Sequence, residues 1–198
     1  MVATVDGRAY FEFAQLLKGL GIKYVSELPW RVKPSETRLL LTTAAELPKG
    51  YEGDSLLFED LKRNQVADSA AVVSFLFEKR KDSLLVGLDP GGFTGVSCIY
   101  RGFPLLATVC DSLEKAVDTT MLLLRLDSRE KLVRIGAGDR AKADYLARAV
   151  SSVLPGVRIE LVDEKGTTKE ARGPINDRGR RDATSAFIIA RKRGLPYR

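Results

Sequence analysis

Apolar positions recur at helical spacing over residues 8–20, where Phe11, Ala14 and Leu17 share a stripe with the Lys18 stem and Gly19 and Gly21 supply a stop. Short apolar segments follow at 23–28, 38–41 and 56–58, set apart by Pro29, Pro34, Pro48 and Gly50, and read as strands with turns. Helical spacing returns over 64–81, with Val66, Ala70, Val73, Leu76 and Phe77 on one side and a basic end. The charged break Lys79, Arg80, Lys81 and Asp82 then separates a small α/β domain, residues 1–81, from a second domain, residues 82–198.

The second domain opens on LLVGLDPGGFTG, residues 84–95, in which an unbroken apolar run has the composition of a central strand covered on both faces. It delivers Asp89 into a glycine-rich turn, where Gly91, Gly92 and Gly95 let the backbone bend sharply and a ligand approach closely. The same residues also fit a tight hairpin whose turn Asp89 caps. Residues 95–101 and 103–110 predict an antiparallel meander turning at Arg101 and Gly102. Asp111 or Ser112 caps the next helix, whose core side is Val117, Met121, Leu122 and Leu124. A strand over 131–136, a helix over 140–153, a strand over 157–162, a polar loop over 163–180 and a helix over 181–193 complete the order β-β-β-α-β-α-β-α.

Composition narrows the chemistry. The chain has no histidine, which removes Ser-His-Asp and Cys-His mechanisms, His-ligated zinc and histidine general bases. Its two cysteines, Cys98 and Cys110, lie in predicted strands without metal-ligand spacing and read as buried free thiols. No apolar run approaches the ~20 residues of a membrane span, and Asp6 stands where a signal peptide would be apolar, so the chain reads as cytoplasmic with no membrane partner. The net charge is +6, yet residues 165–198 hold ten Lys and Arg against three Asp and Glu, a surplus of seven that leaves residues 1–164 near −1. A local basic segment of this kind is a footprint for phosphates, or a solvated helix end and tail.

In an open sheet ligands bind beyond the carboxyl ends of the parallel strands. Asp89 follows the first strand, Asp139 the strand KLVRIG, and Asp163 with Glu164 the strand VRIELV, while Asp182 starts the last helix. Each has a structural alternative, as a helix cap for Asp139 or Asp182 and as a loop closure for Asp163. Clustered carboxylates raise one another's pKa unless a cation compensates them. A hard divalent ion such as Mg²⁺ does so, and a pair of ions would activate water against a phosphodiester.

These segments resemble the RuvC and YqgF branch of the ribonuclease H-like nucleases. VGLDPGGFTG resembles its first-strand Asp-Pro-Gly signature, LVDEKGTTKEA its Asp-Glu-Arg-x-Thr-Thr segment, and RRDATSAFIIA the helix that carries its last acid. The resemblance covers residues 83–194 and implies a ribonuclease H-like mixed sheet. It further implies Asp89, Glu164 or Asp163, and Asp182 as metal ligands and catalytic residues, with Asp139 a weaker ligand, and Mg²⁺ or Mn²⁺ as the ion. Lys165 and Gly166 depart from the Arg-Leu that usually follows Asp-Glu. The implied activity is metal-dependent hydrolysis of branched or structured nucleic acid, DNA or RNA, by a homodimer. Lys165, Arg172, Arg178, Arg180, Arg181 and Arg191 are the candidate nucleic-acid contacts. Two alternatives stand beside it: a nucleic-acid-binding module that keeps the fold without the chemistry, and a phosphate-binding ATPase of the actin and sugar-kinase kind, which shares the Asp-x-Gly turn.

Overall fold

The computed structural model describes residues 1–33, 37–78, 80–163 and 178–197, and of residues 178–182 the backbone only. The chain divides into two compact units, Met1–Lys79 and Arg80–Arg198.

The first unit is a four-stranded parallel sheet in the order β2-β1-β3-β4, built from β1 (Val2–Ala3), β2 (Ser26–Glu27), β3 (Leu40–Thr42) and β4 (Ser55–Leu57). The inner strand β1 is absent from the sequence reading because two residues carry no periodicity. Helix α1 (Gly7–Gly19) starts at Asp6, whose carboxylate accepts the Arg8 and Ala9 amides at 2.8 and 2.9 Å. Its buried stripe is Ala9, Phe13 and Leu17, and Phe11, expected inside, is 62% exposed. The phase is set by Phe13, which meets Phe58 edge-on at 6.1 Å between ring centres. Helix α2 (Gln65–Leu76) ends a turn earlier than its pattern suggests, and it buries Asp68, which accepts the Lys62 and Asn64 amides.

The second unit is a six-stranded mixed sheet in the order β10-β9-β8-β5-β6-β7. Its strands are β5 (Ser83–Pro90), β6 (Thr94–Tyr100), β7 (Phe103–Cys110), β8 (Glu130–Gly136), β9 (Arg158–Val162) and β10 (Leu195–Pro196). β5, β6 and β7 form the expected antiparallel meander, and Arg101 and Gly102, both at positive φ (50° and 74°), make the two-residue turn between β6 and β7. β8 and β9 add in parallel to β5. The last strand, β10, extends the expected element order and pairs antiparallel with β9 through Leu195 and Pro196.

Helices α3 (Leu113–Leu124), α4 (Arg140–Val153) and α5 (Arg178–Arg191) cover this sheet. Ser112 caps α3. Its buried stripe is Ala116, Thr120, Leu123 and Leu124, whereas Leu122, expected inside, is 37% exposed. Thr120 can occupy that stripe because its hydroxyl donates to the Ala116 carbonyl one turn back, at 2.7 Å, which leaves no orphan donor. Every residue of β6 is buried, so the centre of the sheet is covered on both faces. Cys98 and Cys110 are buried free thiols, and burial pushes the Cys98 thiol up to about 12. Among the described residues no helix is long and apolar enough to cross a membrane.

Candidate functional site

The strand register determines which acids meet. Leu88 on β5 pairs with Ile135 on β8, Ile135 with Leu161 on β9, and Gly136 with Val162. Asp89 is therefore level with Gly136 and Val162, Asp163 follows at once, and Asp139 lies three residues beyond Gly136. Three of the acids singled out by the sequence reach one edge of the sheet from three strands.

Asp89 itself lies within β5 and not in the turn. It pairs with Gly95, and Pro90 pairs with Thr94, so Gly91–Phe93 is a hairpin connection. The Gly91 amide donates to the Phe93 carbonyl at 2.9 Å and to the Asp89 carbonyl at 3.0 Å. Of the two sequence readings of this stretch, the backbone is the hairpin, and Asp89 is half-buried one residue before its end. A Cβ added at Gly91 would stand 3.1 Å from the Phe93 carbonyl oxygen, whereas one at Gly92 meets nothing within 4 Å. The space beside Gly92 is open.

Side chains alternate across a strand, so Asp89 shares its face of β5 with Gly87. Helix α5 covers that face: a Cβ built on Gly87 overlaps the Ala186 carbonyl oxygen and lies 2.7 Å from the Ala190 Cβ and 2.8 Å from the Ser97 Oγ. Ser97 is fully buried opposite Gly87, and its hydroxyl has no hydrogen-bond partner among the described residues. On the next strand Arg134, level with Gly87, donates to the Ala190 carbonyl at 2.7 Å and to Glu160 at 2.9 Å, fixing α5 against β8 and β9. Asp182, one helical turn before Ala186, lies with Arg178, Arg180 and Arg181 in the opening stretch of α5, where the backbone alone is described. Arg191 closes the helix and is exposed. Glu164, Lys165 and Arg172 lie outside the described residues.

Asp139 is the N-cap of α4 and accepts the Lys142 amide at 3.2 Å. That backbone hydrogen bond, helped by the Lys142 ammonium, holds its carboxyl below the usual aspartate value. Lys142 belongs to no motif in the sequence. Its Nζ donates to the Gly91 carbonyl at 2.6 Å and lies 3.3 Å from the Asp139 carboxylate, tying the first turn of α4 to the hairpin that follows Asp89. An i, i+3 pairing with Asp139 was legible in the sequence; the contact with Gly91, 51 residues away, was not. Among the described residues no group of three or more Asp, Glu, Cys or His is gathered closely enough to hold a metal ion.

The fold and site thus define a mixed α/β protein with Asp89, Asp139 and Asp163 at the carboxyl ends of the parallel strands β5, β8 and β9. No family matches the chain, and no curated protein does. Among solved structures it is similar to the Argonaute of Marinitoga piezophila in complex with a 5′ OH guide RNA, at 12% identity and a TM-score of 0.30, over 82% of this chain and 39% of that one. The chain spans well under half of that protein, and a likeness at this level carries no argument about function.

Proposed function

We propose that the protein is a metal-dependent nuclease of the ribonuclease H-like kind, nearest in type to the RuvC and YqgF branch, that hydrolyses phosphodiester bonds in branched or structured nucleic acid. One observation carries the reading: Asp89 stands on the central strand of a β7-β6-β5-β8-β9 array in which β6 alone is antiparallel to its neighbours' common direction, and Asp163 follows the strand two places along. Two carboxylates at one sheet edge are a hard-oxygen donor set, which fits Mg²⁺ or Mn²⁺ better than a soft metal. Asp89, Asp163 or Glu164, and Asp182 would hold the ion, with Asp139 serving primarily as a helix cap. When bound, the ion would lower the pKa of a water and neutralise charge on the phosphodiester.

The chain's own residues supply position. Pairing with Gly95 on β6 holds Asp89, Lys142 fixes the hairpin beyond it, and the open space beside Gly92 leaves room for a phosphate. The basic residues Lys165, Arg172, Arg178, Arg180, Arg181 and Arg191 would take neighbouring phosphates. A homodimer would present two such sites to two strands.

The test is Asp89→Asn, which keeps the side chain's shape and removes its charge. Cleavage of junction, duplex and single-stranded substrates in Mg²⁺ or Mn²⁺ should be lost while the melting temperature and nucleic-acid affinity are retained; metal-dependent cleavage undiminished in the variant would end the proposal. The engagement of Asp139 as a cap favours one second reading, a nucleic-acid-binding module without chemistry on the same fold. Salt-sensitive binding by the wild-type chain, with no cleavage in any metal, would select it.

A further inference from the structure

At the end of the second sheet opposite Asp89, the amino ends of β5, β8 and β9 enclose a groove of about 650 Å³. Lys81, Arg129, Lys131, Arg134 and Arg158 line it, against one lining acid, Glu130. The cations come from three stretches remote in sequence, around residue 81, over 129–134 and at 158, and residues 1–164 as a whole are close to neutral. Folding therefore concentrates charge that composition spreads out. Asp82 and Glu160 pair with some of these cations, so the cluster, counted with both, keeps a surplus of two.

The pairing leaves the groove available to another anion. Arg129 stands 3.8 Å from Asp82 and is 90% exposed, and Arg158 stands 3.6 Å from Glu160 and is 67% exposed. Lys81 meets Glu130 at 2.7 Å with both side chains more than half exposed, and the Lys131 ammonium donates to the Leu124 carbonyl. Exposed pairs of this kind are weak and yield to a competing phosphate. Guanidinium forks suit phosphate oxygens, and a nucleic-acid duplex presents one charge per ~1.7 Å of axis, enough to engage several of these cations at once.

We propose that this groove is a second nucleic-acid contact, which takes the phosphate backbone of a strand or arm other than the one lying at Asp89. The inference rests on the nuclease reading for the location of the first contact. The six residue steps from Ser83 to Asp89 along β5 place the two about 20 Å apart, roughly the width of a duplex. A branched substrate can fill both with separate arms, whereas a single strand too short to span that separation cannot.

The experiment uses the full chain, the double variant Arg129→Glu/Arg158→Glu, and fluorescent four-way junction and short single-strand probes, with affinity followed by anisotropy between about 50 and 200 mM salt. Junction affinity should fall at least tenfold at the low-salt end, and the slope of log affinity against log salt should shrink by about two. Single-strand affinity should change little. Arg129→Lys/Arg158→Lys, which keeps the charge, should retain the slope, and a melting temperature equal to wild type excludes misfolding. Junction affinity and slope equal to wild type in the charge-reversed protein would overturn the groove, as would absence of wild-type binding to either probe. Displacement of the junction by poly-glutamate at equal charge would assign the groove to an acidic protein and overturn it too. Failure of the nuclease reading looks different: Asp89→Asn would still cleave, while the groove variant still lost junction affinity.

Discussion

Gly87 lies directly beneath Ala186: the strand at the centre of the second sheet approaches helix α5 so closely that a β-carbon on Gly87 would overlap the Ala186 carbonyl oxygen. Glycine inside a strand sacrifices packing and backbone entropy, and it is found where another backbone comes close. The approach sets the height of α5 over the face that Gly87 shares with Asp89. Arg134 then fixes the other part of the helix through the Ala190 carbonyl.

Replacing Gly87 with valine should therefore act on the helix more than on the strand. Overpacking of a filled interior costs about 1–3 kcal/mol. Amide exchange over residues 186–190 should quicken in Gly87→Val, and under the proposed nuclease function cleavage should fall with it, since the proposed ligand Asp182 is carried on the same helix. Wild-type exchange along α5 in the variant would contradict the packing.

Lys142 offers a separate test of the hairpin. Its ammonium is the link between α4 and the Gly91 carbonyl, so Lys142→Met should release the connection between β5 and β6. The Gly91 amide, which donates within that connection, should exchange several-fold faster. Lys142→Arg, which can still donate to the carbonyl, should recover most of the protection. Equal exchange in all three proteins would show that the lysine holds nothing.

A pH dependence is expected in the first unit. Burial alone would raise the Glu46 carboxyl, but it accepts the Thr4 hydroxyl, the Val5 amide at 2.8 Å and the Thr43 hydroxyl at 2.8 Å, and these hydrogen bonds outweigh burial and lower it. A carboxyl lowered by folding stabilises the folded state fully above its ordinary value of 4.5 and loses that contribution as pH falls through the lowered value. Thermal unfolding followed by far-ultraviolet circular dichroism should show a melting temperature that drops below pH 4.5 in the wild type. The drop should be shallower in Glu46→Gln; identical profiles would remove Glu46 as its source.

Several elements were legible because their signal is local. The α4 pattern matches Arg140–Val153, the Arg101-Gly102 turn joins its predicted strands, and Ser112 caps α3, since turn chemistry and capping act over a few residues. The faces of α1 and α3 are rotated from their patterns, although Leu17 and Leu124 are buried as expected. Phe11 and Leu122 lie outside while Ala9 and Thr120 lie inside, because the buried stripe follows what the helix packs against and a self-satisfied threonine serves there as well as a leucine.

By itself the sequence determined the order of strands and helices in the second unit as far as α5, the acid on its first strand, and the absence of histidine chemistry. All three follow from residue identity and short-range periodicity. Only the tertiary structure decided that Asp89 sits within a hairpin strand, level with the ends of β8 and β9, and that Lys142 reaches Gly91. It alone gathered Lys81, Arg129 and Arg158 into one groove. Strand register and helix height are set by contacts between residues tens of positions apart, and a one-dimensional pattern carries no distance between them.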